Sequence, residues 1–493
     1  MTSAGKTQRA GRGAVIVLGG GGAGLAAAVA AAEAGADVLL LEQSEALGGT
    51  TKLAVGSITA AGTRLQARRG IVDDPEDFHH DMDEFTADLL PYDNPALRRL
   101  LAREAAVTVD WLEDQGVVFV GPFDEPPHRR PRMHNAVPGA SSVVRILERR
   151  ARQLGVRIVC RVRAIQWIRD AVGVAGVNYV SEGDGVSVRA DGAIVLATGD
   201  FSGNAEWRAR WLPEAAAKAA PINPRNQGGG HQLALELGAQ ERNMTHIFGP
   251  QLRFPRSPQA SWVDNLPDWR WLTGLGARLL ERGPAWALRR LAKPLLIANM
   301  SPSPELFEAG AILIDVHGHR LDTTKPAESV AHSTGNKAYI VLDAQLASRF
   351  SQAPHAVSTA PGIAYAYVPD YVRARPDIAA TVSDLEALAA RLSIPVDALA
   401  KTAGGGERGP WTVLGPVHAM ITTTEGSLAV DTQLRVLGTN ERPIPGLYAA
   451  GCIGQGGLLL RGHGLHWAWT FTSGRLAGRA AAEQARLAAF THL

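Results

Sequence analysis

Apolar residues occur along this chain in short runs that are separated by glycine turns. The run Ala14–Leu18 leads into a turn with five glycines, an alanine-rich stretch at 25–34 and a second apolar run, Asp37–Leu41. Continuous apolar runs of four to eight residues are typical of strands buried on both faces of a parallel sheet. The pattern therefore predicts a strand–turn–helix–strand unit at the start of the chain.

The pattern further along the chain predicts both helices and strands. Residues 75–116 read as helices, residues 122–140 as a loop rich in Pro and His, and residues 141–154 as a basic amphipathic helix followed by strands to about residue 190. Later predictions are a buried strand that leaves through a glycine turn (193–204), a helical pair joined near Pro395 (379–402), strands (424–431 and 446–451) and a last helix (464–487). The chain has no internal repeat and no low-complexity segment.

The glycines of the first turn have the spacing of a dinucleotide-binding fingerprint. Gly19 permits a tight turn, Gly21 lets the backbone approach a pyrophosphate, and Gly24 lets the helix pack close to the strand. The free N–H groups and positive dipole of the helix N-terminus favour an anion there. Glu42 follows the second strand, eighteen residues after Gly24, where a carboxylate can accept ribose hydroxyls; it argues against a 2′-phosphate and so against NADP.

Bulk properties exclude several classes of protein. The 493 residues allow two to four domains, with 46% hydrophobic and 20% charged residues. The net charge of +2 gives no electrostatic case for nucleic acid. Cys160 and Cys452 are the only cysteines, too few for a disulfide framework, a zinc set or an iron–sulfur cluster. No signal peptide or membrane-spanning run is evident, so the cytoplasm is the expected compartment.

Several segments together resemble one flavoprotein family. They are Gly48-Gly-Thr-Thr-Lys-Leu-Ala-Val-Gly-Ser, Leu196-Ala-Thr-Gly-Asp-Phe-Ser-Gly-Asn204, Thr424-Glu-Gly-Ser-Leu, Pro443-Ile-Pro-Gly-Leu-Tyr-Ala-Ala-Gly451 and Ser473-Gly-Arg-Leu-Ala-Gly478. The chain is similar over most of its length to the family of soluble fumarate reductases, succinate dehydrogenase flavoproteins and 3-ketosteroid dehydrogenases. The resemblance implies non-covalently bound FAD, with the late glycine segment returning to the cofactor.

The resemblance also implies a fold and a domain order. It implies an α/β fold in which a Rossmann-like, two-dinucleotide-binding FAD domain is interrupted by an α+β capping domain. The expected boundaries are an FAD domain in two parts, 1–244 and 424–493, with the cap at 245–423. The resemblance implies these FAD-binding residues: Gly19, Gly21, Gly22, Ala23, Gly24, Glu42, Gln43, Gly49, Thr50, Thr51, Gly56, Ser57, Ala197, Thr198, Gly199, Asn204, Gly451, Cys452, Leu465 and His466.

Only some of the residues that bind substrate in the family have counterparts in this chain. The substrate arginine of fumarate reductases matches Arg461, fourteen residues before Arg475, and a glycine whose N–H binds the substrate ketone in ketosteroid dehydrogenases matches Gly464. Other family residues are absent: their positions fall on Thr423, near Pro250, near Glu328 and on Leu460. These departures make fumarate or succinate a poor candidate substrate and indicate a relative with its own active site.

The string Gln455-Gly-Gly-Leu-Leu-Leu-Arg461-Gly-His463-Gly-Leu-His466 is the main candidate for chemistry. Arg461 suits a carboxylate or a developing enolate, and His463 can exchange a proton near neutral pH. We expect Arg461, His463, Gly464 and His466 to be catalytic. The alternatives are a structural salt bridge for Arg461, helix capping for His463 and simple packing for His466.

Other candidates are weaker. His418 and Glu425 flank a strand end expected to reach the flavin, although Glu425 could be a surface charge; His134 and Asn135 precede a loop near the flavin in the family. A plain loop position is favoured for His134, and a core or surface position for Tyr365, Tyr367 and Tyr371. His79 and His80 indicate no metal geometry, and we expect no metal site. Cys452 stands where relatives often place a polar ribityl contact, with small packing as the alternative.

A segment that begins at Trp269 and ends at Pro294 is apolar, aromatic and basic together. It suits a membrane surface or a bulky apolar substrate. A helix packed on the cap or at a subunit interface is the favoured interpretation.

These observations and the resemblance lead to one expectation of function. The chain is expected to be an FAD-dependent oxidoreductase that adds or removes hydrogens across a C–C bond next to a carbonyl or carboxylate. Hydride would pass through flavin N5, and a side chain would handle the proton. The alternatives are an isomerase or hydratase without net redox change, and a flavin-bound protein that has lost catalysis. A small-molecule substrate and a separate electron donor or acceptor are the expected partners.

Overall fold

The structure is a computed structural model that describes residues 6–9, 14–170, 173–181, 184–189, 192–256, 267–282, 301–360, 364–403 and 409–491. Helices and strands alternate through these residues. The strands are β1 (Lys6–Arg9), β2 (Ala14–Leu18), β3 (Asp37–Leu41), β4 (Ser57–Thr59), β5 (Val118–Phe123), β6 (Met133–Val137), β7 (Arg157–Val159), β8 (Val162–Arg169), β9 (Val174–Ser181), β10 (Asp184–Arg189), β11 (Ala193–Leu196), β12 (Ala220–Pro221), β13 (Glu241–Arg242), β14 (Ile247–Phe248), β15 (Gln251–Arg253), β16 (Ile312–Asp315), β17 (Ala338–Leu342), β18 (Ser358–Ala360), β19 (Ala364–Ala366), β20 (Ala379–Val382), β21 (Trp411–Ile421), β22 (Thr423–Thr424), β23 (Ser427–Leu428), β24 (Arg435–Leu437) and β25 (Pro443–Ala449).

The helices are α1 (Gly22–Glu33), α2 (Arg64–Arg68), α3 (Pro75–Phe85), α4 (Pro95–Asp114), α5 (Ala140–Gln153), α6 (Ala205–Trp211), α7 (Glu214–Lys218), α8 (Gly229–Leu235), α9 (Arg270–Arg282), α10 (Glu305–Glu308), α11 (Pro326–His332), α12 (Ala344–Arg349), α13 (Val368–Ala374), α14 (Leu385–Leu392), α15 (Val396–Ala403) and α16 (Leu465–Thr491).

The first sheet has the order β24-β25-β11-β2-β3-β7. Its five strands from β25 to β7 run parallel, with Val15 beside Ala193 and Val38, and β24 pairs with β25 antiparallel. Every residue of β2 is buried, which is why this strand is apolar without alternation. The α/β prediction with a Rossmann-like sheet is confirmed.

The first and last long helices pack along each other on this sheet. Glycines of α16 make this close approach feasible, because a Cβ at Gly474 would lie 2.4 Å from the carbonyl oxygen of Ala23, and one at Gly478 would lie 2.2 Å from that of Ala27. The two ends of the chain therefore form one hydrophobic core around the sheet.

A second sheet forms a separate core. Strands β12, β21, β17 and β16 lie side by side, and β15 and β20 also pair with β21. Its apolar residues, such as Leu313, Ile340 and Leu414, are buried. Two short pairings, β13 with β23 and β14 with β22, flank the return of the chain to the first sheet. The domain boundaries at residues 244 and 424 stay a prediction.

Some predicted elements were wrong. The loop at 122–140 contains β6 and the end of β5, and β6 pairs with both β5 and β4 in a small antiparallel sheet. The first part of the helical pair at 379–402 is the strand β20, although the helices on either side of Pro395 are present. The strand predicted at 424–431 is reduced to β22, which begins at Thr423, and β23.

Candidate functional site

The turn after β2 forms a cradle at the N-terminus of α1. Gly19 has φ +102°, and a Cβ at Gly24 would lie 1.8 Å from its carbonyl oxygen, so both glycines are required by the packing of the turn. In contrast, a Cβ at Gly21 would meet no protein atom within 4 Å. The N-cap residue Gly21 makes no side-chain capping bond, and the first turn of α1 has no acidic residue. The open space at Gly21 and the positive end of the helix dipole fit a dinucleotide pyrophosphate.

Glu42 lies beside this cradle at the end of β3. Its carboxylate is buried and accepts the N–H of Gly20 at 2.6 Å and that of Ser44 at 2.7 Å. Two accepted N–H bonds leave lone pairs on the carboxylate for ribose hydroxyls. The neighbouring Gln43 donates to the carbonyl of Arg225 at 2.9 Å.

The 3₁₀ turn Gly49–Leu53 closes the other side of the cradle. A Cβ at Gly49 would lie 3.4 Å from the Cα of Gly21, and Thr51 accepts the N–H of Gly22 through its hydroxyl at 3.1 Å. The hydroxyl of Thr50 accepts from the side-chain amides of Asn223 and Asn226 at 2.9 and 3.1 Å. The predicted Gly/Thr segment is therefore held directly against the first fingerprint.

Asp200 is a buried carboxylate that the sequence analysis did not single out. It accepts from the side chain of Asn226 at 2.6 Å, from the hydroxyl of Thr423 at 2.6 Å and from the N–H of Thr424 at 2.8 Å. Ser202 adds an N–H and a hydroxyl. Asp200 thus ties the segment after β11 to the strand that returns from the second sheet.

Next to Asp200 lie other residues predicted to bind the cofactor. Ala197 is buried, Gly199 has φ +79°, and the buried hydroxyl of Thr198 has no hydrogen-bond partner among the described residues. Asn204 is the N-cap of α6 and accepts the N–H of Trp207 at 3.1 Å. The unpartnered hydroxyl of Thr198 fits a polar ligand, whereas the side chain of Asn204 is engaged in capping.

The second glycine segment packs on the first. A Cβ at Gly451 would lie 2.9 Å from the Cβ of Ala23, and the N–H of Gly451 donates to the hydroxyl of Ser473 at 2.9 Å. The thiol of Cys452 lies 3.6 Å from the hydroxyl of Thr423, and burial raises its pKa to about 12. The thiol therefore stays protonated and uncharged at this position.

A polar strip on β4 and β6 borders the same region. The hydroxyl of Ser57 donates to Asn135 at 2.6 Å, and the buried side-chain NH₂ of Asn135 has no partner among the residues that the structure describes. Gly56 bonds through its carbonyl to the N–H of Ala136. The open cradle at Gly21 and the unpartnered polar atoms of Thr198 and Asn135 together fit FAD.

Side chains from other parts of the chain bond to the backbone of the loop that carries Arg461 and His463. Asn94 donates to the carbonyl of Gly456 and Asn243 to that of Gly457, both at 2.9 Å. The carboxylate of Asp93 accepts the N–H of Leu459 at 2.7 Å. The loop is therefore fixed by side chains from both the first half of the chain and the segment at the start of the predicted cap.

His463 is paired with Glu125. The imidazole Nδ1 lies 2.7 Å from the Glu125 carboxylate, which also accepts the backbone N–H of His463 at 2.6 Å. The hydrogen bond to Glu125 raises the pKa of His463. Because the His463 side chain is 64% exposed while Glu125 is buried, the pair presents an oriented imidazole to its surroundings.

Gly464 follows at the start of α16. It has φ +79°, and a Cβ there would lie 2.6 Å from the hydroxyl of Thr59. That hydroxyl donates to the carbonyl of His463 at 2.7 Å. Glycine at 464 therefore lets the loop lie directly on β4, and Leu465 behind it is buried.

Arg461 and His466 surround a buried carboxylate, Glu425. The Arg461 guanidinium lies 3.1 Å from Glu425, and the His466 Nε2 lies 3.9 Å from it. Burial raises the pKa of Glu425 to about 7 and lowers that of His466 to about 4. The interpretation of Glu425 as a surface charge is wrong, because its side chain is fully buried.

An aromatic ring from β14 covers this cluster. The Arg461 guanidinium lies 5.7 Å from the centre of the Phe248 ring, and the imidazole of His466 lies 5.5 Å from it. The residues brought together are thus Arg461, Glu425, His466 and Phe248. Phe248 and Glu125 were missed, since neither stands in a recognisable motif.

The weaker candidates are mostly engaged in structural contacts. His134 is buried at 2.9 Å from the hydroxyl of Thr63, and His418 contacts the carbonyl of Asn336 at 2.7 Å. Tyr371 is buried against Ser358, whereas Tyr365 is exposed. Among the described residues, no group of three His, Cys, Asp or Glu side chains, including those at His79 and His80, could hold a metal ion.

The apolar segment that begins at Trp269 is described only as far as Arg282. Its inner side packs through Ala277 against Val120 and Val137, while Trp269 and Trp271 are exposed. The stretch from residue 284 to 294 lies outside the described residues. Within the described part of the chain, no helix has the length and apolar character needed to cross a bilayer.

Comparisons with known proteins agree with this geometry. The profile of the family described as "FAD binding domain" matches residues 14–264. The chain is 27% identical over 96% of its length to a protein named NADH:fumarate oxidoreductase from Klebsiella pneumoniae, of which it spans 48%. The chain thus spans about half the length of that curated relative.

Two solved structures have the same fold. The open conformation of a flavocytochrome c3 fumarate reductase superposes with a TM-score of 0.73 at 23% identity, over 97% of this chain and 79% of that one. A 3-ketosteroid Δ1-dehydrogenase from Sterolibacterium denitrificans superposes with a TM-score of 0.67 at 16% identity, over 95% and 99% of the two chains.

Proposed function

The chain belongs to the FAD-binding domain family and uses FAD, and we propose that it is an oxidoreductase that adds or removes two hydrogens across a C–C bond next to a carbonyl or carboxylate. The observation that carries the proposal is the packing of α16 along α1, with the loop that holds Arg461 and His463 directly before α16. Reactive side chains and the cofactor cradle therefore belong to the same end of the same helix pair.

Bound FAD supplies a two-electron hydride acceptor or donor for such a reaction. The protein's own residues would hold the substrate and move the proton. Arg461 and the N–H of Gly464 would donate hydrogen bonds to the substrate oxygen and so polarise its carbonyl group. His463, oriented by Glu125 at 2.7 Å, would give or take the proton on the substrate carbon.

The cofactor residues would act as a cradle rather than as reagents. Gly21 at the start of α1 would lie against the pyrophosphate, and Glu42 would bind the adenosine ribose. The unpartnered hydroxyl of Thr198 and the amide of Asn135 would bond polar atoms of the cofactor. Ser57 orients that amide through the bond to its oxygen.

The test is an anaerobic absorbance scan of the purified holoprotein against ketosteroids, cyclic ketones, enones, and saturated and unsaturated carboxylic acids. Bleaching of the oxidised flavin by a saturated member indicates dehydrogenation, and reoxidation of the dithionite-reduced flavin by an unsaturated member indicates reduction. Either outcome supports the proposal. Product formation without a change in the flavin spectrum would favour an isomerase or hydratase instead. If no compound bleaches the oxidised flavin, reoxidises the reduced flavin or is converted, a protein that has lost catalysis is favoured.

The electron partner is also part of the proposal. The sequence lacks the cysteines of an attached c-type haem or an iron–sulfur cluster. We therefore expect electrons to be exchanged with a separate protein or a diffusible molecule. The substrate is expected to be a small molecule, with room for a bulky apolar one if the aromatic segment near Trp271 borders the site.

A further inference from the structure

Arg461 is the cation best placed to meet a substrate oxygen in the cluster before α16. Its side chain is 22% exposed, so the guanidinium is at the edge of the cluster rather than inside it. It lies over the ring of Phe248, and its buried Nε has no hydrogen-bond partner among the described residues. A guanidinium has five N–H donors, so contact with one neighbour leaves others for a ligand.

That neighbour is an acidic side chain of the protein itself. Glu425 approaches the Arg461 guanidinium to 3.1 Å and accepts the N–H of Leu460 at 3.2 Å. The carboxylate is fully buried, so no water shields its charge from a ligand bound at Arg461. The ionised pair is electrically neutral as a unit.

Among the other ionisable groups near the pair, His463 has a raised pKa, but it is paired with Glu125 at 2.7 Å, and that pair is also neutral as a unit when both groups are charged. His466, 3.9 Å from Glu425, is held neutral because burial lowers its pKa to about 4. Burial and the charge of Arg461 also lower the pKa of His246, which favours its neutral form. Asp93, from the segment before α4, raises the pKa of Glu425 further when it is ionised; it is paired with Arg98, and burial raises its own pKa to about 6. The charge of Arg253 acts on His463, whose pKa it lowers.

We propose that Glu425 sets the substrate class of this site, by pairing with Arg461 so that the site accepts a neutral carbonyl compound and rejects a carboxylate. A substrate carboxylate bound at Arg461 would share the guanidinium with the buried carboxylate of Glu425. Two negative charges on one guanidinium, in a site that excludes water, repel each other strongly. A ketone or lactone oxygen accepts a hydrogen bond from the remaining N–H groups without this penalty. The inference rests on the proposed function and narrows it to enones and their saturated ketones.

The same arrangement makes carboxylate rejection depend on pH. The pKa of Glu425 is raised to about 7, so the side chain is mostly ionised at pH 8 and mostly protonated at pH 6. Protonation leaves the Arg461 charge uncompensated, which favours an anionic ligand. The wild-type protein is therefore expected to discriminate against carboxylates more strongly at pH 8 than at pH 6.

The experiment compares two ring compounds of equal size, the enone 1-acetylcyclohexene and 1-cyclohexene-1-carboxylate. Their dissociation constants are measured from the perturbation of the flavin spectrum of oxidised holoprotein at pH 6 and pH 8. Wild type is compared with Glu425→Gln and with a control, Glu113→Gln. Glu113 is also a largely buried carboxylate with a raised pKa, but it faces Arg64 and Arg68 on the surface side of α4.

We expect wild type at pH 8 to bind the enone at least tenfold more tightly than the carboxylate. Glu425→Gln is expected to bind the carboxylate at least tenfold more tightly than wild type does at pH 8 and to keep its enone affinity within threefold. Its carboxylate affinity should change less between pH 6 and pH 8 than that of wild type, because only the other groups of the site, such as His463, still titrate. Glu113→Gln should behave as wild type. If Glu425→Gln does not retain FAD, the wild-type preference for the enone over the carboxylate at pH 8 decides the question.

Equal affinities for the two ligands in wild type, or an unchanged carboxylate affinity in Glu425→Gln, would overturn the inference while leaving the proposed function intact. Absence of any spectral change with either ligand, together with no reoxidation of reduced flavin by any unsaturated compound of the panel, would overturn both.

Discussion

The carboxylate of Glu42 accepts two backbone N–H groups and faces the turn where the ribose is expected. Glu42→Gln removes the charge and one acceptor while keeping the size of the side chain. Loss of a charge-assisted hydrogen bond in a buried site costs about 1.5–3 kcal/mol, which corresponds to a loss of FAD affinity of roughly ten- to a hundredfold.

Fluorescence titration of the apoprotein with FAD measures this loss. Glu45→Gln is the matched control, because Glu45 lies three residues further on, is 66% exposed and makes only a long contact with Arg161. Equal FAD affinities for the two variants would exclude the ribose role of Glu42.

The pairing of His463 with Glu125 leads to a prediction on pH dependence. The Glu125 carboxylate raises the pKa of His463, so removing its charge in Glu125→Gln lowers that pKa and reduces the protonated fraction at neutral pH. If His463 donates the proton, the rate of substrate reduction falls with pH around its pKa. The descending limb of the rate profile should therefore move toward lower pH in the variant.

Single-turnover reoxidation of the reduced holoprotein across pH 5–9 measures this limb. A reduced rate with the limb in its original place would assign Glu125 a purely structural role. His463→Gln should lower the rate and remove the limb altogether.

Sequence reasoning succeeded at the residue scale where a motif carries the information. The positions of Gly19, Gly21 and Gly24 followed from spacing alone. Packing in the turn explains Gly19 and Gly24, whereas a Cβ at Gly21 would point into open space. Glu125 was not predictable, because 338 residues separate it from His463 and no local pattern connects them. The burial of Glu425 could not be foreseen either, since it depends on the second sheet returning beside Arg461.

At the scale of elements, the long and strongly patterned ones were predicted and the short ones were not. The helices α4, α5 and α16 and the strands β2, β3 and β11 each have a local apolar pattern of their own. The strands β6 and β20 pair with strands that lie outside a local window of sequence, β4 and β21 respectively. Whether such a short segment forms a strand depends on a pairing partner elsewhere in the chain, and the local sequence gives no information about that partner.

The turn before α1 allows a test that separates folding from cofactor binding. Gly24→Ala places a methyl group 1.8 Å from a backbone carbonyl, so it is expected to destabilise the fold by several kcal/mol or prevent folding. Gly21→Ala meets no protein atom within 4 Å. We expect its apoprotein to unfold within about 1 kcal/mol of wild type, yet to bind FAD at least tenfold more weakly because the methyl group occupies the phosphate cradle.

Urea unfolding of the two apoproteins and FAD titration give both quantities. Unchanged FAD affinity in a stable Gly21→Ala protein would place the pyrophosphate elsewhere.

For the whole molecule, Asp200 connects the core around the first sheet to the returning strand β22. Asp200→Asn removes the negative charge that five donors share and introduces an NH₂ group among them. Breaking a buried hydrogen-bond network of this kind costs about 2–4 kcal/mol. The variant is therefore expected to unfold at a lower urea concentration than wild type.

Its FAD affinity is expected to fall as well, because Asn226 links Asp200 to Thr50 beside the cradle. Asp322→Asn is a suitable control, since Asp322 accepts only from the nearby Thr324 in an exposed loop. Equal stability of the two variants would show that the network does not join the two parts of the molecule.

The central claim is that hydrogens pass between the substrate C–C bond and the flavin in each turnover. The ratio of product formed to flavin reoxidised tests this claim most directly. Dithionite-reduced holoprotein is mixed anaerobically with an unsaturated carbonyl compound that reacts in the absorbance panel, and product is counted by mass spectrometry against flavin reoxidised. The account predicts one C=C bond reduced for each flavin reoxidised. Many products per flavin with an unchanged spectrum, or flavin reoxidation without a saturated product, would contradict it.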